Sequence, residues 1–474
     1  MKRFKRIYAL LAVLLVACLI TFGVSQYETR KEQIKNSDEV ILEIPTDSVK
    51  TLSWENETVS LSFHKDDAWV YDDDDAFPVD EEKINELLSQ FEAFGVSFII
   101  EDVEDFGQYG LNDPVCTINI GTEDQEYTVL LGDYSAMDSE RYVSIGDGNV
   151  YLVQNDPLDS FDAELSDVIK NDEVPAFDQV TEIRFSGEEE YQIRYEEDST
   201  ETYREEDVYF TQVDGETLPL DTSEIETYLS TLQNMDMTEY MTYNATQEDL
   251  ETYGLADPEL MMEIDYTTTD EDDNETSGTF VLSVSHDPSQ PLPEESESEA
   301  TQDESEETEE EEITAYARVG ESPIVYKIST DAYKALMASS IDDFRHKEVV
   351  PANFENIAQI DIVLEDVNYT ISSKGEGDDR TYYYGDEELE IDELQSALQA
   401  LSADSFTDEE PTQREEIDLT LTLDLEGSPT VHVELYRYDG DHCLAVADGE
   451  PISLAARDSV VDLVEAVNSI VLNG

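Results

Sequence analysis

The chain has 474 residues, with 117 Asp and Glu against 25 Lys and Arg, a formal net charge of −92. A surface this negative repels phosphate backbones and anionic headgroups, which excludes nucleic-acid binding and adhesion through a basic patch. Hydrophobic residues still make up 39%, with 26 Tyr and 16 Phe, so the composition is that of folded domains and not of an acidic disordered chain.

Lys2, Arg3, Lys5 and Arg6 precede an uncharged run over residues 7–24, and the next charge is Glu28. That run is long enough to cross a bilayer as a helix, and basic residues stay on the cytoplasmic side. The pattern predicts a cytoplasmic tail over 1–6, a transmembrane anchor over 7–27, and everything later outside the cell membrane. The alternative is a lipoprotein modified at Cys18, because Leu15-Val16-Ala17-Cys18 fits a lipobox. The apolar run continues past that cysteine through residues 19–22, which favours the uncleaved, single-pass anchor.

Beyond the anchor the pattern repeats. The first strands are predicted over 49–54, 180–185 and 357–363. An amphipathic helix follows each opening group of strands. Ile84, Leu87, Leu88, Phe91 and Phe94 have the spacing of Ile225, Tyr228, Leu229, Leu232 and Met235. Leu394, Ala397, Leu398 and Leu401 keep the first four places, so each set is one apolar stripe on a helix of about three turns. Asp80, Asp221 and Glu390 stand at the N-cap positions, with Val79, Leu220 and Leu389 before them to close a hydrophobic staple.

Tyr109-Gly110-Leu111-Asn112-Asp113-Pro114 then recurs as Tyr253-Gly254-Leu255-Ala256-Asp257-Pro258, each ahead of an alternating strand. We read Tyr109, Gly110, Leu111 and Pro114, and Tyr253, Gly254, Leu255 and Pro258, as structural turns. The glycines supply positive φ, and the prolines open the next strand. Hairpins are predicted around residues 146–149, 320–323 and 447–450, with short helices after them. The predicted fold class is α+β: three tandem repeats of an antiparallel-strand and amphipathic-helix unit after the N-terminal transmembrane anchor. The units span 45–172, 177–350 and 354–474, the third being the most divergent.

The second unit carries a low-complexity stretch over 287–312, in which 13 of 26 residues are acidic. It reads as a disordered loop inserted between strands at 280–284 and 313–319. The run Asp72-Asp73-Asp74-Asp75 lacks the spaced ligands and bend glycine of a calcium loop, so it reads as a turn, with weak divalent-cation binding as the alternative. No catalytic, cofactor-binding or metal-ligating residues are assigned. His64, His286, His346, His432 and His442 form no metal spacing, and neither a nucleophile elbow nor a phosphate loop occurs. Cys116 and Cys443 read as buried small residues.

The anchor, Trp69-Val70 ahead of a helix, Tyr-Gly-Leu-x-x-Pro, Leu131-Gly132, and Tyr142-Val143 followed by Val150-Tyr151-Leu152-Val153 together resemble the family called domain of unknown function 4340. The resemblance covers about residues 65–335. It implies a membrane-anchored extracytoplasmic protein associated with ABC-type transport systems of the gliding-motility kind, with no assigned catalytic residues. The expected function is therefore a non-enzymatic accessory component of such a system, with the membrane and ABC permease or ATPase subunits as partners and no cofactor. The alternatives are an envelope carboxylate hydrolase or glycan-binding protein, and an acidic cation-binding or spacer protein of the cell envelope.

Overall fold

The computed structural model describes residues 39–101, 103–137, 139–197, 199–213, 215–269, 274–292, 312–375 and 380–473. Among them, 28 strands fall into four sheets. About 43% of the described residues are strand and 20% helix, so the fold is mostly antiparallel sheet and not the α+β class predicted. One physical reason lies where the stripes were extended too far. The first helix covers Glu81–Ser89 and the second Thr222–Gln233. Phe94, placed on the first stripe, instead opens the strand Phe94–Val96, and Met235 lies beyond the end of its helix. An apolar period of 3.6 ran by coincidence into a turn and a strand.

Among the described residues, no helix is long and apolar enough to cross a membrane. The anchor predicted over 7–27 lies outside the described residues, as do residues 293–311 of the acidic loop.

The chain forms two compact units. The first comprises the described residues up to Asp172 together with Met237–Thr246 and Pro323–Tyr326. Its main sheet runs, edge to edge, Trp69–Tyr71, Ser60–Lys65, Val49–Asn56, Cys116–Thr122, Glu126–Ser135, Glu140–Ser144, Val150–Val153 and Phe98–Ile100. Alternation puts Leu52, Trp54, Phe63, Ile118, Ile120 and Val129 on the buried side. Trp54 stacks on Phe63 with ring centroids 5.4 Å apart, meets the edge of Phe161, and donates its indole N–H to the Ala163 carbonyl at 3.1 Å. Ile84, Leu87 and Leu88 of the helix Glu81–Ser89 are buried as well. Within the same unit Tyr240 pairs with Tyr326 and Thr242 with Val325.

The second unit holds two sheets. One includes, in order, Glu216–Pro219, Tyr209–Val213, Glu190–Tyr195, Gln179–Ser186, Leu260–Thr269, Glu275–His286 and Ala315–Val319. The other runs Glu387–Leu389, Thr381–Tyr384, Val367–Lys374, Ile357–Leu364, Glu415–Leu423, Thr430–Arg437, His442–Ala447, Glu450–Ala456 and Ala403–Phe406. Each sheet is covered on one face by helices. Ile225, Leu229 and Leu232 share a core with Ile183, Phe185 and Met262, and Leu394 and Leu398 share one with Ile360, Leu419 and Leu463.

The three large sheets place their strands in corresponding order. The opening strand lies at the centre, later strands step outward on one side, and the chain then returns to the other side of the opening strand. The opening strand is bulged at one corresponding point in each: between Val49 and Thr51, between Val180 and Glu182, and between Ile357 and Gln359. A bulge costs ladder pairing and fixes local twist, so its recurrence marks one backbone solution used three times. The third helix departs from the expected cap. It covers Asp392–Gln399 behind Ile391, whose position carries no side-chain cap, so Glu390 does not start it.

Candidate functional site

The repeated turn motifs occupy equivalent places. Gly110 ends a short 3-10 helix at φ 71°, and the Leu111 N–H reaches back to the Phe106 carbonyl at 3.1 Å. Gly254 has φ 74°, and the Leu255 N–H reaches the Leu250 carbonyl at 2.8 Å. Leu111 and Leu255 are buried, Tyr109 packs on Tyr142, and Tyr253 packs on Tyr316. A Cβ on Gly132 would lie 2.1 Å from the Tyr109 carbonyl oxygen, so the neighbouring strand must be side-chain-free there. Pro114 and Pro258 precede the strands Cys116–Thr122 and Leu260–Thr269.

The acidic run 72–75 is partnered at three of its positions. Asp72 accepts from Ser62 and faces His64, Asp73 accepts from the Tyr71 hydroxyl, and Asp74 accepts from the Ala76 N–H and the Tyr243 hydroxyl. Carboxylates committed in this way are poor ligands for a hard cation.

A different constellation forms in the second unit, from segments far apart in sequence. The 3-10 helix Asp342–Phe344 ends at Arg345, whose extended backbone starts the run Arg345-His346-Lys347-Glu348 toward the third large sheet. Two isolated bridges pin the neighbourhood: Tyr203 with Ala352, and Glu348 with Ser402. Asp207 stands ahead of the strand Tyr209–Val213, and its side chain is 1% exposed. One Asp207 oxygen accepts from the Thr202 hydroxyl at 2.6 Å, and the other lies 2.9 Å from His346 Nε2. An ionised carboxylate only accepts, so this contact assigns a proton to Nε2. In the neutral imidazole, Nδ1 then carries the lone pair.

His346 Nδ1 is buried and has no hydrogen-bond partner. It lies 3.7 Å from Asp221 Oδ2 and 3.8 Å from Glu348 Oε2. Asp221 caps the helix Thr222–Gln233, its other oxygen accepting from the Ser223 N–H at 2.9 Å and the Ser223 hydroxyl at 2.6 Å. Burial pushes the Asp221 carboxyl up, but the Ser223 hydrogen bonds and the neighbouring His346 outweigh it and hold the group below the usual carboxylate range. Glu348 is exposed, and the Arg204 guanidinium lies 3.6 Å from it while donating to the Val350 carbonyl. Beside them lies a cleft of about 240 Å³ lined by Arg204, Glu348, Phe354 and Leu398 among others. Among the described residues, Asp221, His346 and Glu348 are the group whose ligand atoms all lie within 4.8 Å of one another.

The first unit has the same backbone frame with different chemistry. There the Asp80 N–H donates to the Val168 carbonyl at 2.9 Å, as the Asp221 N–H donates to the Phe344 carbonyl at 2.8 Å. Counting two residues on from each carbonyl, Lys170 takes the place of His346.

Sequence reading identified Asp221 only as a helix cap, set His346 aside with the other histidines, and passed over Asp207 and Glu348. The one local signal is His346-Lys347-Glu348: alternate residues of an extended segment project to the same side. Asp207 is 139 residues from His346, so only the tertiary fold unites them.

Fold and site together define a mostly antiparallel β protein built from recurring sheets, with a histidine–carboxylate cluster in its second unit. The model of the family described as Domain of unknown function (DUF4340) matches residues 69–258 and 215–420, most of the chain, and the protein belongs to that family. No curated protein and no solved structure matches it.

Proposed function

We propose that the protein is a non-enzymatic accessory component of an ABC-type transport system, tethered to the cell membrane by its N-terminal segment and working outside the cytoplasm. The observation that carries this reading is the order of the first residues: a cluster of four basic residues, an uncharged run of bilayer length, then a chain with 18 basic and 115 acidic residues after position 35. The resemblance to DUF4340 supports the transport association. Acidic, recurring sheets offer broad surfaces for protein contact, and electrostatic complementarity on such surfaces governs which partner docks and how fast.

In-cell crosslinking followed by affinity capture of the full chain tests the proposal. The expected result is repeated recovery of an ABC permease or ATPase subunit, lost when residues 7–24 are deleted. Repeated capture without either subunit would overturn the transport assignment. Alkaline extraction that releases the intact chain from membranes would overturn the tether.

A further inference from the structure

We propose that Asp221, His346 and Glu348 bind one divalent transition-metal ion, of which Zn²⁺ is the representative. This site is independent of the transport assignment. One imidazole nitrogen and two carboxylate oxygens form a set that zinc and its neighbours accept, whereas calcium seeks six to eight oxygens.

The geometry is close to that of a loaded site. Zinc–ligand bonds of about 2.0–2.1 Å place tetrahedral ligand atoms roughly 3.4 Å apart. The distances from Nδ1 to Asp221 and Glu348 are 3.7 and 3.8 Å, a few tenths of an ångström longer than that, and the three ligand atoms all lie within 4.8 Å of one another. The fourth position falls to water.

Three further features point the same way. Asp207, itself held by Thr202, fixes the far nitrogen of the imidazole, the arrangement that orients histidines toward metals. That contact leaves Nδ1 as a buried acceptor with no hydrogen bond, a costly state that an ion would relieve. The charge also fits. The carboxylates of Asp207, Asp221 and Glu348 surround the His346 imidazole, and the Arg204 guanidinium lies 3.6 Å from Glu348, so negative charge gathers where a cation would sit. In the first unit Lys170 stands in the equivalent place and brings its own positive charge. Arg204 competes for Glu348 and makes it the weakest of the three ligands. A bound ion would tie the start of the helix Thr222–Gln233 to the segment leading into the third large sheet.

The test uses the full chain after chelator treatment, titrated with Zn²⁺ by calorimetry in a background of millimolar calcium and magnesium that saturates loose carboxylate binding. Co²⁺ absorption in the same background reports the coordination. One saturable Zn²⁺ site per chain is expected, lost in His346→Ala. Asp207→Asn keeps all three ligands and should weaken binding about 10- to 100-fold. Glu348→Gln changes an exposed residue, keeps the fold, and should weaken binding by at least about tenfold. Unchanged affinity and Co²⁺ spectra in both Glu348→Gln and His346→Ala would overturn the proposal. So would a wild-type chain whose Zn²⁺ binding is wholly displaced by calcium, which would leave loose carboxylate binding and no site at His346.

Discussion

His64 and Asp72 face each other across an edge hairpin of the first unit, with Nδ1 and Oδ1 2.5 Å apart. The hydrogen bond to Asp72 raises the imidazole pKa above its ordinary value, and Asp66 at 3.7 Å adds to this. Burial works against the Asp72 charge, but Ser62 and His64 together lower its pKa. The signs define a window. The histidine's contribution to stability is full below the unfolded value of about 6.5 and is lost as pH rises through the raised folded value. The aspartate's contribution is present above its unfolded value of about 4 and is lost as pH falls through the lowered one. Both side chains are over a third exposed, so screening keeps the effect modest. In Asp72→Asn, an NMR titration of the His64 ring should give a pKa lower than in the parent chain. Equal values in the two proteins would show that the contact does not persist in solution.

At the scale of elements, capping separates the first helix from the third. The Asp80 side chain accepts from the Glu82 N–H at 2.9 Å and more weakly from the Lys83 N–H. Glu390, the corresponding residue by sequence, makes no such bond, because the third helix starts one residue later behind Ile391. Asp80→Ala should therefore cost about 1 kcal/mol in denaturant unfolding, while Glu390→Ala stays within about 0.5 kcal/mol. Equal losses would mean that both caps operate. This contrast also shows how far elements could be read from residues. Apolar periodicity located all three helices, because Ile84, Ile225 and Leu394 must face a sheet. It could not mark their ends, since Phe91 and Phe94 kept the spacing while the backbone turned and became a strand. Short strands such as Phe98–Ile100 and Ala403–Phe406 carry too few residues to show alternation, and they account for part of the sheet that the α+β reading missed. The recurring bulge was equally hidden, because it depends on pairing register and not on residue type. The histidine–carboxylate cluster was legible only in its His346-Lys347-Glu348 fragment; Asp207 and Asp221 join it through the packing of remote segments.

At the scale of the whole molecule, charge and topology bear on the acidic segment together. The strands flanking it pair as far as His286 with Ala315, and the Asp287 N–H then reaches the Thr314 carbonyl at 2.8 Å. The hairpin is thus closed by the described residues on either side of 293–311. Deleting residues 293–311 removes 11 of the 117 acidic residues, so most of the negative charge stays on the rest of the chain. Loop-closure entropy changes only slowly with length, about 0.6 kcal/mol for each doubling, so a short Gly/Ser link should be neutral or slightly stabilising. The remaining charge still repels itself, and added salt screens that repulsion. Thermal melting should therefore place the deleted and parent chains within about 2 °C of each other at physiological salt, a difference on the order of 1 kcal/mol or less. Both chains should gain stability as salt is added. If the deletion abolished the salt response, the repulsion would reside in the segment itself; if it lowered the midpoint by more than about 5 °C, the hairpin would depend on residues that its closing hydrogen bonds indicate it does not need.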